Sequence, residues 1–110
     1  MRFIQIEFTK PDRYDTLGDW YYEGDTLHIK ADGNGDEAFL IALHELVEAY
    51  LCRKRGITQS QVDQFDMGWF GKGEPGDSVA APYGKEHRFA MIMEHLMAHE
   101  LGLTGYGEIK

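Results

Sequence analysis

Cysteine occurs once in the 110 residues, at Cys52, and proline only three times. A single thiol cannot close a disulfide within the chain, so no covalent staple supports the fold. The opening Met1-Arg2-Phe3-Ile4-Gln5 has neither the apolar core nor the cleavage site of a signal peptide, which together with the lone cysteine points to a reducing cytoplasm. Basic residues are also scarce, 11 against 19 acidic ones, and the resulting formal charge of −8 repels phosphate backbones and anionic headgroups. Nucleic-acid and membrane-surface binding are therefore disfavoured. No apolar run approaches the roughly 18 residues of a membrane span. No repeat of about 20–50 residues and no low-complexity tract is present, which removes solenoids and propellers. What the chain does hold is 43% apolar and 13% aromatic residues, enough for one core, so a single domain over residues 1–110 is expected.

The local patterns predict an α+β fold. Residues 2–8 alternate as a half-buried strand, with Ile4, Ile6 and Phe8 as the expected core face. Residues 19–23 and 26–30 flank Gly24-Asp25 and read as a hairpin, giving a small antiparallel sheet of two or three strands within residues 1–31. A long helix is predicted over about 36–55. Asn34 and Glu37 resemble a capping box at its start, and Arg53-Lys54-Arg55-Gly56 supplies cations and a glycine at its end. Thr58 and Gln61 form a second box ahead of a short helix near 59–67. Four glycines and Pro75 between Gly68 and Gly76 predict a loop, and Pro82 is placed to open a last helix over about 82–101. The two longer helices are expected to lie under the sheet, and the tail to Lys110 to be frayed or loosely docked.

The chemistry concentrates on the first long helix. At about 100° per residue, His44, Glu45, Glu48 and Cys52 share an arc of roughly 100° with Ile41, while Phe39, Leu40, Leu43, Leu46, Val47, Tyr50 and Leu51 fill the rest. A helix this apolar is buried on most sides, and carboxylates and imidazoles in such surroundings require a metal, a cation or a water-filled cleft. Residues four apart lie one above the other, so His44 and Glu48 can converge on one ion, with Glu45 beside it. The run His44-Glu45-Leu46-Val47-Glu48 follows the logic of His-Glu-x-x-His with glutamate as the second ligand. On the last helix, His87 and Glu94 share a stripe with Tyr83, Met91, Ala98 and Leu101. If the helices pack together, His44, Glu48 and His87 form a three-ligand set for zinc or another divalent transition metal. Glu94 is then a fourth ligand or an orienting group, and Tyr83 a donor to developing negative charge.

Plainer readings compete. His87 alone could be a hydrogen-bonded core residue, and Glu45 and Glu48 could pair with Arg53, Arg55 or Arg88. His28 reads as cross-strand packing, and His95 and His99 as solvated. Asp63 and Asp66 read as a solvated helix face, and Met91, Met93 and Met97 as gap-filling core. Cys52 reads as a small buried hydrophobe whose place on the stripe leaves soft-metal ligation or oxidation open.

The runs Leu43 to Ala49, Cys52 to Gly56, Val62 to Asp66, Glu74 to Asp77, Ala81 to Tyr83, Glu86-His87 and Ala98 to Gly102 together resemble a small family of phage and prophage proteins. The likeness covers nearly all of the chain from Asp19 onward. More distantly, the strand Thr26 to Ala31 leading into a helix with His44-Glu45 is similar to the core of minimal zincin metallopeptidases, in which an edge strand lies beside the substrate. That resemblance implies His44 as ligand, Glu45 as general base and a peptide as substrate. Two other functions are weighed against this one. Glu45-x-x-Glu48 with Asp63-x-x-Asp66 resembles the magnesium motifs of all-helical nucleotide pyrophosphohydrolases, and an acidic phage accessory protein that binds a host protein would need no metal.

Overall fold

The computed structural model describes residues 1–103, 105 and 106, and they form an α+β fold of three strands and three α-helices. Strand β1 is Phe3–Glu7, β2 is Gly18–Glu23 and β3 is Thr26–Ala31. Glu23 pairs with Thr26 across the two-residue turn, where Gly24 takes φ 60° at the first central position, a conformation that suits glycine and matches hairpin twist. The hairpin is as expected. The sheet is not wholly antiparallel, however: its order is β1-β3-β2, and β1 runs parallel to β3. The long segment between β1 and β2 carries the chain across the sheet before the hairpin begins, which reverses the expected direction of the first pair.

Leu27, Ile29 and Ala31 alternate along central β3 and are fully buried with Trp20 in the core. Ile4 and Ile6 pair with Leu27 and Ile29, so they lie on the expected face. They are nonetheless 49% and 42% exposed. The helical layer covers β2 and β3 and stops short of β1, which explains the difference.

Helix α1 spans Asp36–Lys54, α2 spans Gln59–Met67 and α3 spans Gly84–Glu100. The proposed box at Asn34 is absent: Gly35 is the N-cap, no side chain caps it, and Asp36 and Glu37 favour the helix start through the dipole alone. Gly56 follows the helix at φ 75°, as a terminating glycine should. The box of Thr58 and Gln61 is present in full. Helix α3 starts two residues after Pro82, at Gly84, preceded by a 3-10 turn at Pro75–Asp77. The sheet packs on α1, and α3 packs against α1 and the 3-10 turn, so the helices do not share the sheet as expected. Of the expected loose tail, residues 104 and 107–110 lie outside the described residues, while the Tyr106 hydroxyl donates to Glu94. Among the described residues, no helix is long and apolar enough to cross a membrane.

Candidate metal centre

Helices α1 and α3 run side by side and bring His44 and Glu48 of one against His87 of the other. His44 Nε2 lies 3.2 Å from Glu48 Oε2 and 3.2 Å from His87 Nδ1, and His87 Nδ1 lies 3.1 Å from the same glutamate oxygen. All three residues are buried, at 5%, 4% and 3% exposure. Three vertices of a tetrahedron drawn about 2.0–2.1 Å around a zinc ion stand about 3.3–3.4 Å apart, so the observed triangle has the dimensions of a ligand set with one vertex left open.

The groups behind these atoms fix their directions. Glu48 Oε1 accepts a hydrogen bond from Trp20 Nε1 at 3.1 Å, which leaves Oε2 turned to the histidines. His44 Nδ1 meets Glu94 Oε1 at 2.8 Å, and Glu94 in turn accepts from Tyr106. His87 Nε2 stands 3.2 Å from Asp77 Oδ1 but off the line of a hydrogen bond, and has no other partner. Each imidazole thus turns one nitrogen to the triangle and the other toward a carboxylate, the usual setting of a metal-bound histidine. Gly76 lies flat against His87: a Cβ there would come within 2.4 Å of the ring.

The electrostatics follow from this packing. Burial opposes the imidazolium of His44, yet its bonds to Glu48 and Glu94 outweigh burial and lift its pKa from 6.5 to about 11. For His87 burial is likewise overcome by Glu48, and the shift is upward. Burial pushes Glu48 up, but the two histidines prevail and hold it at about 2. Glu45 behaves differently. Burial, reinforced by the Glu48 charge, raises its pKa well above the ordinary carboxylate value. It enters no hydrogen bond among the described residues and lines the same clefts as His44, with its carboxylate against Gly18, where a Cβ would lie 3.1 Å from Oε2.

The other expected residues have different places. Glu94 is outside the triangle and meets the far nitrogen of His44, so it is not one of the three converging groups. Tyr83 is buried and lines the cleft, but its hydroxyl donates to Asp66, which leaves it unavailable as a donor without rearrangement. Asp66 is no solvated group: burial raises it to about 6 despite that bond, and Tyr14 donates to it at 3.1 Å. Asp63 is held by Arg13 at 2.8 Å and Arg13 also grips Asp19, tying the segment after β1 to β2 and α2. Arg55 pairs with Glu86 and leaves Glu45 and Glu48 alone. Cys52 is fully buried in the core with its thiol pKa raised by burial, and stands neither in the triangle nor in the other group able to hold an ion, Glu74, Asp77 and His87. His28 stacks on Tyr21 across the hairpin, as expected. Trp20, Gly76 and Asp77 were not singled out by the sequence; only the need of a strand indole for an acceptor pointed toward the first.

Comparison of the chain with protein-family models, with curated proteins and with solved structures finds no match in any of the three.

Proposed function

We propose that the protein binds a divalent transition metal, zinc foremost, on His44 Nε2, Glu48 Oε2 and His87 Nδ1, and that it is a small zincin-like hydrolase of peptide bonds. The observation that carries this reading is the buried triangle with edges of 3.1–3.2 Å and a carboxylate near the far nitrogen of each imidazole. Zinc there would supply Lewis acidity, activating a water and polarising a carbonyl. Glu45, raised by burial and without a hydrogen-bond partner among the described residues, suits the base that would take the water's proton and return it to the leaving amine. Arg13, Gln59 and Thr16 fill polar positions along the outer edge of β2, so a substrate would meet the clefts beside Gly18 and not a bare strand edge.

Membership of the phage and prophage family belongs to the same proposal and rests on the motif runs alone. The magnesium reading is less well supported, because Asp63 is occupied by Arg13 and neither Asp63 nor Asp66 belongs to a group able to hold an ion among the described residues. Elemental analysis of protein purified without a chelating tag, followed by assay of Glu45→Gln, tests the proposal. About one metal ion per chain in both proteins is expected, with hydrolysis of a peptide substrate reduced by roughly 10²-fold or more in the variant. Metal-free wild type with His44→Ala equally stable would overturn it and favour the acidic interaction protein.

A further inference from the structure

Two clefts, of about 410 and 330 Å³, flank the triangle and share Thr16, Gly18, His44, Glu45 and Glu74. They form two halves of one groove that meet at these five residues. Glu37, Glu74 and Glu94 line the first half; Asp15, Asp66 and Glu74 line the second. Among the described residues, no lysine or arginine lines either one. Three neighbouring cations are engaged elsewhere: Arg13 with Asp19 and Asp63, Arg55 with Glu86, and Lys30 with Asp12. Lys72, exposed beside the lining residues Gly73 and Glu74, has no ion pair among the described residues and offsets at most one carboxylate. Lys10 reaches Asp15 at 3.2 Å in a pair exposed to solvent, which offsets at most one carboxylate of the groove.

A divalent ion on the triangle would not reverse this imbalance. Even with protons on Glu45 and Asp66, the carboxylates of Glu37, Glu48, Glu74 and Glu94 outnumber its two charges. Walls of low dielectric focus the field of such a cleft and favour ligands of opposite sign, so carboxylates and phosphates are repelled while ammonium and guanidinium groups are attracted. Each half also offers apolar surface for the stem of a long cationic side chain: Met91 and Ile41 in one, the half-buried Trp69 indole in the other.

We propose that the groove takes a cationic peptide segment, placing an ammonium or guanidinium beside Glu74 while the neighbouring peptide bond lies over His44, Glu48 and His87. This rests on the hydrolytic reading of the triangle. The cation can be a lysine or arginine side chain or a free amino terminus, and the test separates the two.

Zinc-loaded Glu45→Gln protein, in which binding proceeds without turnover, is titrated by calorimetry with short peptides of one length that carry Lys, Ala or Glu at one position. Each peptide is used with a free and with an acetylated amino terminus. The expected order is Lys, then Ala, then Glu, with about tenfold or more between the extremes at low salt and a smaller gap near 0.5 M, where screening shortens to a few ångströms. A preference lost on acetylation identifies the amino terminus; one that survives identifies the side chain. Adding Glu37→Gln and Glu74→Gln should shrink the Lys-over-Glu gap to about threefold while metal content is unchanged. Equal or tighter binding of the Glu peptide, no binding of any peptide by metal-loaded protein, or a gap untouched by those two substitutions overturns the proposal. Metal analysis of the same samples keeps the two readings apart: absence of metal overturns the hydrolytic site, and a Lys preference in that metal-free protein would leave the groove's selectivity standing on its own.

Discussion

His44 Nε2 and His87 Nδ1 face each other at 3.2 Å across the contact between α1 and α3. Two ring nitrogens in that position can share one proton or one metal ion; two protons would repel. With Glu48 Oε2 about as close to both, the arrangement is stable only when a positive charge sits among the three atoms. The contact between the two helices is thus linked to what occupies the triangle.

The first expectation follows directly. Zinc should raise the melting temperature, because an ion bound only by the folded state stabilises it by about 2.7 kcal/mol at a hundredfold excess over Kd. For a chain of this length that is about 10 °C or more. His44→Ala and Glu48→Ala should abolish the increment, and a chelator should reverse it in wild type. Scanning calorimetry with and without zinc makes the comparison; identical curves for wild type would speak against the site.

Two glycines separate metal holding from catalysis. Gly76→Ala puts a methyl 2.4 Å from the His87 ring, at the one buried position of the 3-10 turn, so the imidazole must rotate out of the triangle. Metal affinity should fall about tenfold or more, as when support for a ligand is removed. Gly18→Ala instead presses on Ile41 at 2.6 Å and on Glu45 at 3.1 Å, displacing the base while the ligands stay. Its metal affinity should remain near wild type and any hydrolysis should drop. Equal effects of the two changes on metal binding would show that Gly18 matters to the fold and not to Glu45.

The parts that were legible in the sequence are the local ones. Helix α1, its terminating glycine and the convergence of His44 with Glu48 follow from a spacing of four on one helix, and the box at Thr58 follows from four consecutive residues. His87 was found because a polar group on an apolar stripe needs a partner on the facing helix. The direction of β1 was not legible, since parallel and antiparallel pairing bury the same alternation and a connection of ten residues permits either. Nor were Trp20 on Glu48, 28 positions away, or Tyr83 on Asp66, 17 positions away: such bonds depend on where separate elements meet. Asp66 looked like a solvated acid because its partners lie on the segment after β1 and at the start of α3.

Trp20→Phe tests one of those distant bonds. The change keeps most of the aromatic volume and removes only the N–H that holds Glu48 Oε1 at 3.1 Å in a buried place. A hydrogen bond to a charged group contributes about 1.5–3 kcal/mol, and an abandoned buried carboxylate oxygen adds to the loss. Denaturant unfolding of the metal-free variant should show a deficit of that size. Metal affinity should fall too, because Glu48 is then free to turn. A deficit of a few tenths of a kcal/mol with unchanged affinity would mean the indole does not orient the ligand.

The response to pH should differ between the metal-free and metal-loaded protein. Without metal, His44 has its pKa raised from 6.5 to about 11, so its stabilisation is fully present below pH 6.5 and fades as pH climbs toward 11. Glu48, lowered from 4.5 to about 2, contributes above pH 4.5 and loses its contribution as pH falls toward 2. The two overlap best between about 4.5 and 6.5. Asp66, raised from 3.8 to about 6, and Glu45, also raised, favour the acid side, since their folded forms hold protons that the unfolded chain releases sooner. The metal-free protein should therefore lose stability from about pH 6.5 upward. A bound metal needs the nitrogens without their protons, so its affinity should rise over the same range. Melting temperatures measured from pH 5 to 9 with chelator and with zinc should diverge as pH increases. Calorimetric titration with zinc in buffers of different ionisation heat should register proton release at pH 7. A gap between the two melting curves that stays constant with pH, with no protons released, would place the zinc away from His44 and His87.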